Sequence, residues 1–484
     1  MVLQILQNVF SLLLGHVVSK VFSVVGIVLL ARYLGVEKFG VYGTIMAYLT
    51  LFASLADYGL TTVTIRDVAQ DHKRSESYFS HTLSLRMVLT VIAYLSMLLL
   101  GSVWKKGEYP LFLIAICGLF LFPEALRKLA ISMLSAYERM DKVAVLEVLS
   151  TVFRYLPFLI AISIGAAFHT AFVLLITAWL GLAIGSLVVT TRYCLKHWSF
   201  SVTWPQMRST LYEALPFGTL FILTVIHFKA DIIMLSKMQG SVAVGFYEGA
   251  YKFIEAAIFI PASIIHVLLP VMSRYFVTDR TSYTNVYIHA TRILALGILP
   301  IIIFVTFFSD TIILLMYGDA YRPSVPALSL LIWALFFIFM NAPIENIIVT
   351  SKMMTAFLPY SIANTFLNIF LNFLLIPKYS FLGASIATVS TKFTIFVVKL
   401  YFANRVLHNA SEMVWMLGRL LAIGMLTSGA VYLTKPHLAF PFSMIVLVTV
   451  YLISLFTFKM IKPQDKLVFS AVMNLVKTKL PLNR

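Results

Sequence analysis

The sequence predicts an all-α, polytopic membrane protein of about fourteen transmembrane helices, and three observations carry that prediction. Of 484 residues, 60% are hydrophobic and only 12% charged, about half the charged fraction with which a soluble domain covers its core. The apolar residues fall in blocks of about 20, the length a helix needs to cross the hydrocarbon of a bilayer. Finally, a polar, glycine-rich stretch between two early blocks, ARYLGVEKFGVYG at Ala31–Gly43, has a counterpart 205 residues later.

Taken in order, the spans centre on 8–31, 40–65, 80–103, 110–136, 143–165, 168–193, 211–236, 243–273, 284–308, 325–350, 355–376, 382–405, 414–434 and 440–459. The first lacks an early basic cluster and a small-residue cleavage pattern, so it reads as a spanning helix rather than a removable signal. Placing the N-terminus in the cytoplasm gathers Arg66, Arg139, Lys142, Arg208, Arg274, Arg280 and the tail lysines in inner loops, and far fewer cations outside. This bias assigns both termini to the cytoplasm. The formal net charge of +17 is then an orientation signal, with a secondary attraction to anionic inner-leaflet lipid, and no nucleic-acid partner is expected. Cys117 and Cys194 fall in or beside apolar segments without metal-ligand spacing and read as small buried hydrophobes.

Aligning Ser236–Tyr247, SKMQGSVAVGFY, under Ala31–Tyr42, ARYLGVEKFGVY, pairs Arg32 with Lys237, Gly35 with Gly240, Gly40 with Gly245 and Tyr42 with Tyr247. Six spans separate the copies. An even number makes them parallel repeats related by an axis along the membrane normal, the plan of transporters that rock two bundles about a cleft. The charges of the first copy are expected at the interface, Arg32 capping the first helix and Glu37 and Lys38 in water.

LLARYLGVEKFGVYG followed by LADYGL at Leu55–Leu60, VIHFKADIIMLSKMQGSVAVGFY at Val225–Tyr247, and NTFLNIFLNFLLIPKYSFLGASIATVST at Asn364–Thr391 together resemble polysaccharide flippases of the O-antigen type. These belong to the multidrug/oligosaccharidyl-lipid/polysaccharide exporter (MOP) superfamily. The resemblance implies two pseudo-symmetric six-helix lobes, 1–195 and 211–405, around a central cavity, with a cytoplasmic linker at 196–210. Two extra helices in 406–460 and a cytoplasmic tail, 461–484, follow. It implies alternating-access flipping of a polyprenyl-(di)phosphate-linked oligosaccharide from the cytoplasmic to the outer leaflet, for cell-surface polysaccharide or glycoconjugate synthesis. The setting would be the plasma (inner) membrane, the partners that lipid-linked glycan, the bilayer and glycan-assembly proteins.

Ionisable side chains at membrane depth cost several kcal/mol and need a partner or an aqueous cavity. His16, Lys20 and Ser23 share one face of the first span; Thr50, Ser54, Asp57 and Thr61 one face of the second. Thr224, His227 and Asp231 form a stripe on the seventh, with Lys229 off it, and Glu248, Lys252 and Glu255 form one on the eighth. By the resemblance, these four spans line the cavity. Lys20, Lys229 and Lys252 are the expected phosphate contacts, with His16, His227 and Arg154 as further glycan or phosphate contacts. Glu248 and Glu255 would balance or gate them. Glu248 with Lys252 at i,i+4 equally fits a salt bridge that sets helix register, and Lys229 could snorkel or pair near Asp231. Asp57 and Asp231 are the expected sites of any coupling to H+ or Na+. Glu124, Arg127, Lys128, Glu147 and Arg154 read first as inter-helix pairs, with the phosphate or glycan contact as the second reading of Arg154, and Asn364, Asn368 and Asn372 as a polar seam joining helices.

The sequence holds no HExxH, GxSxG, P-loop, GxGxxG or DxD-like pair, so no catalytic residues, metal or cofactor are expected, and the chain reads as a transporter rather than an enzyme. Two alternatives stay open. A cation-coupled multidrug exporter of the same superfamily fits poorly with a lysine-rich cavity, and a membrane-embedded glycan polymerase or ligase should carry a larger outer loop.

Overall fold

The computed structural model describes residues 2–72, 75–102, 111–166, 168–195, 203–408 and 410–460, and among these it contains helices and turns with no strand. The side chains of 2–17, His16 among them, lie outside the described residues.

Helices α1 (Val2–Asp57) and α8 (Trp204–Ala257) are the same construction twice. They have 56 and 54 residues, about 80 Å if straight, against a hydrocarbon core of about 30 Å. Each breaks once, α1 at Gly35 (φ 68°, ψ 174°) and α8 at Gly240 (φ 82°, ψ 179°). This region of backbone space is essentially reserved to glycine. The breaks fall in the register of the sequence repeat, so the repeat extends to backbone conformation. A third long helix, α12 (Met354–Leu407), breaks at Ser380, where φ is 52°.

Between them lie α2 (Leu60–Gln70), α3 (Ser75–Ser102), α4 (Leu111–Gly118), α5 (Leu121–Ala136), α6 (Met140–Ser163) and α7 (Phe168–Cys194). After α8 come α9 (Phe259–Thr278), α10 (Arg280–Tyr317), a 3-10 turn at Asp319–Tyr321 and α11 (Ser324–Thr350). The last two helices are α13 (Ala410–Thr434) and α14 (Phe440–Thr457). Among the described residues, ten helices are long and apolar enough to span a bilayer. Resolving α1, α8 and α12 into two arms each, and adding the interrupted α4–α5 pair, accounts for the fourteen expected passes.

The chain divides into two compact units. The first comprises Met1–Ala256, Ile313–Ala327 and Ser361–Thr391. Its core is aromatic: the Tyr42 ring meets Phe158 edge-on at 5.1 Å, and Phe158 meets Phe172 at 5.1 Å. The second comprises Ala257–Ile312, Leu328–Tyr360 and Lys392–Arg484. There Ile302, Ile303 and Leu331 are fully buried, Tyr451 donates to the Leu296 carbonyl at 2.6 Å, and Lys399 pairs with Glu345. Both units are also apolar outside, with Leu99 and Ile164 on the first and Leu433 and Phe456 on the second each more than two-thirds exposed. Helices hydrophobic all round belong in lipid, and the chain is a multi-pass membrane protein.

Candidate functional site

All the residues of interest lie in the first unit, and the repeat motif organises them. A Cβ added to Gly40 would fall on the Ser241 carbonyl, and one added to Gly245 on the Val36 carbonyl. These pairs are reciprocal under the 205-residue offset: the two copies of the motif cross, backbone against backbone, at the position where each has its glycine. Three residues on, Gly43 leaves the space that the Glu248 side chain occupies, since a Cβ there would meet Glu248 Cγ at 2.8 Å. The motif whose charges were expected at the interface thus positions, through its glycines, a site carboxylate. Arg32 also departs from expectation. It donates to the Met316 carbonyl at 2.7 Å and to the Leu315 carbonyl, so it caps the end of α10 rather than of its own helix, where it can satisfy carbonyls that have no intrahelical partner.

The second arm of α8 carries a chain of alternating charges. Lys252 Nζ lies 2.6 Å from Glu248 Oε2, off the hydrogen-bonding direction, and donates to Glu255 at 2.8 Å. Lys229, from the first arm, donates to the other Glu255 oxygen at 2.7 Å. The i,i+4 bridge therefore forms, and Lys229 finds its carboxylate on Glu255 rather than near Asp231. Lys20 stands in the electrostatic field of Glu255, Arg154 and Lys252, yet makes no hydrogen bond or ion pair with a described residue. On the same face of α1, Ser23 bonds the Tyr155 hydroxyl at 3.0 Å, and Gly26 makes room for the Tyr155 ring. That close approach brings Arg154, the residue before, to the cluster. Its exposed guanidinium lies over Trp179 at 5.6 Å from the ring centre, a contact that holds the cation without neutralising it. Four cations, Lys20, Arg154, Lys229 and Lys252, thus face two carboxylates, Glu248 and Glu255. At low dielectric such an excess attracts an anion of more than one charge.

Asp57 and Asp231 sit apart from this cluster, each in its own network. Asp57 pairs with Arg86 at 2.8 Å and accepts from Thr61 at 2.7 Å, while Arg86 also donates to Thr61 at 2.8 Å. The Arg86 side chain is completely buried, and its Nε and Nη1 have no hydrogen-bond partner among the described residues. The sequence reading passed over Arg86; an arginine inside an otherwise apolar block was the available signal. Asp231 accepts from Tyr247 at 2.9 Å, Thr388 at 2.5 Å and Asn372 at 2.6 Å. Asn372 bonds Asn368 in turn, at 3.2 Å, so the asparagine seam ends on a carboxylate. Tyr247 and Thr388 were not anticipated there, because they come from parts of the chain that the sequence does not join. His227 has its ring against Phe228 at 5.8 Å.

Glu124 and Arg127 pair twice along α5, at 2.8 and 3.0 Å, and Arg127 reaches Glu147 on α6 at 3.4 Å. Trp179 completes this network by donating to Glu124 at 2.8 Å. Among the described residues no group of three or more His, Cys, Asp or Glu is placed to hold a metal ion.

The architecture recurs in solved structures. The lipid II flippase MurJ in an inward closed conformation superposes with a TM-score of 0.75 at 14% identity, over 94% of this chain and 99% of that one. An inward-facing multidrug resistance MATE family transporter gives 0.65 at 15% identity, over 80% and 94%. A MOP superfamily transporter from Pyrococcus furiosus, with a binding pocket of reverse polarity, gives 0.56 at 13% identity, over 83% and 96%. The fold is that of the MOP superfamily of membrane transporters. More particularly, a family model described as polysaccharide biosynthesis protein matches residues 5–276, more than half of the chain, and the chain belongs to that family. The MatE model matches 216–374 as well. No curated protein sequence matches the chain.

Proposed function

We propose that the protein flips a polyprenyl-(di)phosphate-linked oligosaccharide from the cytoplasmic to the outer leaflet of the cell membrane by alternating access of two six-helix lobes, 1–195 and 211–405. The observation that carries this reading is the excess of cations among Lys20, Arg154, Lys229, Lys252, Glu248 and Glu255, together with a Lys20 that has no hydrogen-bond or ion-pair partner among the described residues. A membrane-embedded ammonium without a counter-ion is stabilised by an anionic ligand. Lys20 and Arg154 take the phosphates first. Lys252 and Lys229 follow by exchanging Glu248 and Glu255 for phosphate oxygens, which leaves the carboxylates to restore neutrality once the substrate departs. His16 and His227 are further candidate contacts for the glycan or phosphate. Membership of the polysaccharide biosynthesis family supports a glycan-bearing substrate, supplied by glycan-assembly enzymes. The same cation excess disfavours cationic drugs as cargo.

Asp57 and Asp231, both buried carboxylates held in side-chain hydrogen-bond networks, are the candidates for coupling to H+ or Na+.

The test is reconstitution in proteoliposomes with a polyprenyl-diphosphate glycan, measuring its appearance in the outer leaflet for wild type, Lys20→Ala and Lys252→Ala. Loss of flipping in both variants is expected. Absence of flipping of any such lipid by the wild type, with efflux of organic cations instead, would overturn the reading. Asp57→Asn and Asp231→Asn variants measured with and without an ion gradient test coupling, and gradient-dependent flipping that survives in both would exclude it at these residues.

A further inference from the structure

The second unit holds a cavity of about 420 Å³ where α10, the start of α13 and the end of α14 converge, lined by Arg292, Glu412, Trp415, Arg419 and Lys459 among others. Its volume is that of a small-ligand site, and among the described residues three cations line it against one carboxylate. Arg292 lies three turns inside α10 and is 3% exposed, so the deep wall of the cavity is cationic. Arg419, an exposed residue, lies over the Trp415 ring at 6.0 Å, and Trp415 itself is 70% exposed, as a tryptophan at a lipid–water boundary is. Lys459 is positioned by backbone geometry. It ends α14 in the left-handed conformation, φ 51°, its N–H bonded to Phe456 O at 3.1 Å and the Met460 N–H to Leu455 O at 3.0 Å, a paired cap that fixes the direction of the chain.

One occupant fits the charge and the surroundings. Beyond the rim, Val414, Leu421 and Met425 run along α13, each more than 60% exposed, a lipid-facing track that begins beside Trp415. The chain's own continuation carries Lys462, Lys466, Lys477, Lys479 and Arg484 against Asp465, and so repeats the cavity's charge rather than complementing it. We propose that this cavity binds the headgroup phosphate of an anionic phospholipid of the surrounding bilayer, with Arg292, Arg419 and Lys459 as phosphate contacts and the α13 track as the bed of its acyl chains. Basic pockets between transmembrane helices hold anionic headgroups by this combination of charge and apolar surface. The site shares no residue with the cluster around Lys252 and does not depend on which substrate the protein moves.

The experiment titrates the full-length protein in neutral detergent micelles with phosphatidylglycerol, phosphatidylcholine or inorganic phosphate, counting retained lipid by native mass spectrometry. Phosphatidylglycerol should be retained in preference to phosphatidylcholine, and millimolar phosphate should not displace it. Each exposed cation is worth about fivefold, so Arg419→Gln/Lys459→Gln should weaken retention about 25-fold. Lys459→Gln alone, about fivefold weaker, keeps the test available if the double variant misfolds. Arg139→Gln/Lys142→Gln, an equal loss of charge in the other unit, should leave retention unchanged. Equal retention of the two lipids, an unaffected Arg419→Gln/Lys459→Gln variant, or an equal loss in the Arg139→Gln/Lys142→Gln control would overturn the proposal. Full displacement by inorganic phosphate would overturn it in favour of a soluble anion.

Discussion

Lys20→Met and Lys252→Met remove the same charge from the same cluster, yet they should behave differently. Glu248 has 2% of its side chain exposed and takes its ion pair from Lys252. Removing Lys252 leaves that carboxylate buried without its counter-charge, a change that costs about 3–5 kcal/mol. Methionine nearly preserves the volume, so repacking adds little. Glu255 keeps Lys229 at 2.7 Å and does not add to the loss. Neutralising both ends in Glu248→Gln/Lys252→Met should therefore recover most of the stability but not the transport. Lys20 leaves no described carboxylate behind, so Lys20→Met should stay within about 0.5 kcal/mol of wild type while flipping falls sharply. Thermal and denaturant unfolding in detergent, run beside the proteoliposome assay, separates the two effects. The reasoning fails if Lys20→Met destabilises as much as Lys252→Met, or if the double variant is no more stable than Lys252→Met.

Gly40→Ala and Gly245→Ala should each destabilise by about 1–3 kcal/mol because the new methyl meets backbone that cannot turn aside; Gly181→Ala, with nothing within 4 Å, should be neutral or stabilising in the same unfolding measurement. Arg86→Gln should cost about 3–5 kcal/mol by stranding Asp57, and Asp57→Asn in the same chain should return part of it; equal stability of single and double variants would count against the pair. Asp279 starts α10 and is held below the ordinary aspartate range by the Ser282 hydroxyl, the Ser282 N–H and the Thr281 N–H. Its contribution is complete above the unfolded-state value and disappears as pH falls through the lower folded one. Hydrogen exchange at Thr281 and Ser282, corrected for intrinsic rates, should thus be flat between about pH 5 and 8 and accelerate only in stronger acid.

The passes, the repeat and the polar stripes were legible from the sequence because each is a one-dimensional property. A span is a run of apolar residues, a repeat is a constant offset, and a helical face follows from a 3.6-residue period. The Glu248–Lys252 pair was legible for the same reason, being four residues apart on one helix. Lys229 with Glu255, Asp57 with Arg86, and Asp231 with Tyr247 and Thr388 were not, because periodicity gives a residue's azimuth on its own helix but not the neighbour that azimuth faces.

The motif at Ala31–Gly43 shows the division most plainly. Sequence alone determined that it recurs, that Gly35 aligns with Gly240 and Gly40 with Gly245, and that the chain spans a membrane many times. Only the tertiary structure decided that Gly40 and Gly245 meet the opposite copy's backbone, that Gly43 makes room for Glu248, and that Arg32 caps α10. Missing side chains are legible as glycines, but the space they leave belongs to whichever helix packs there, and that is settled by contacts between residues about two hundred positions apart.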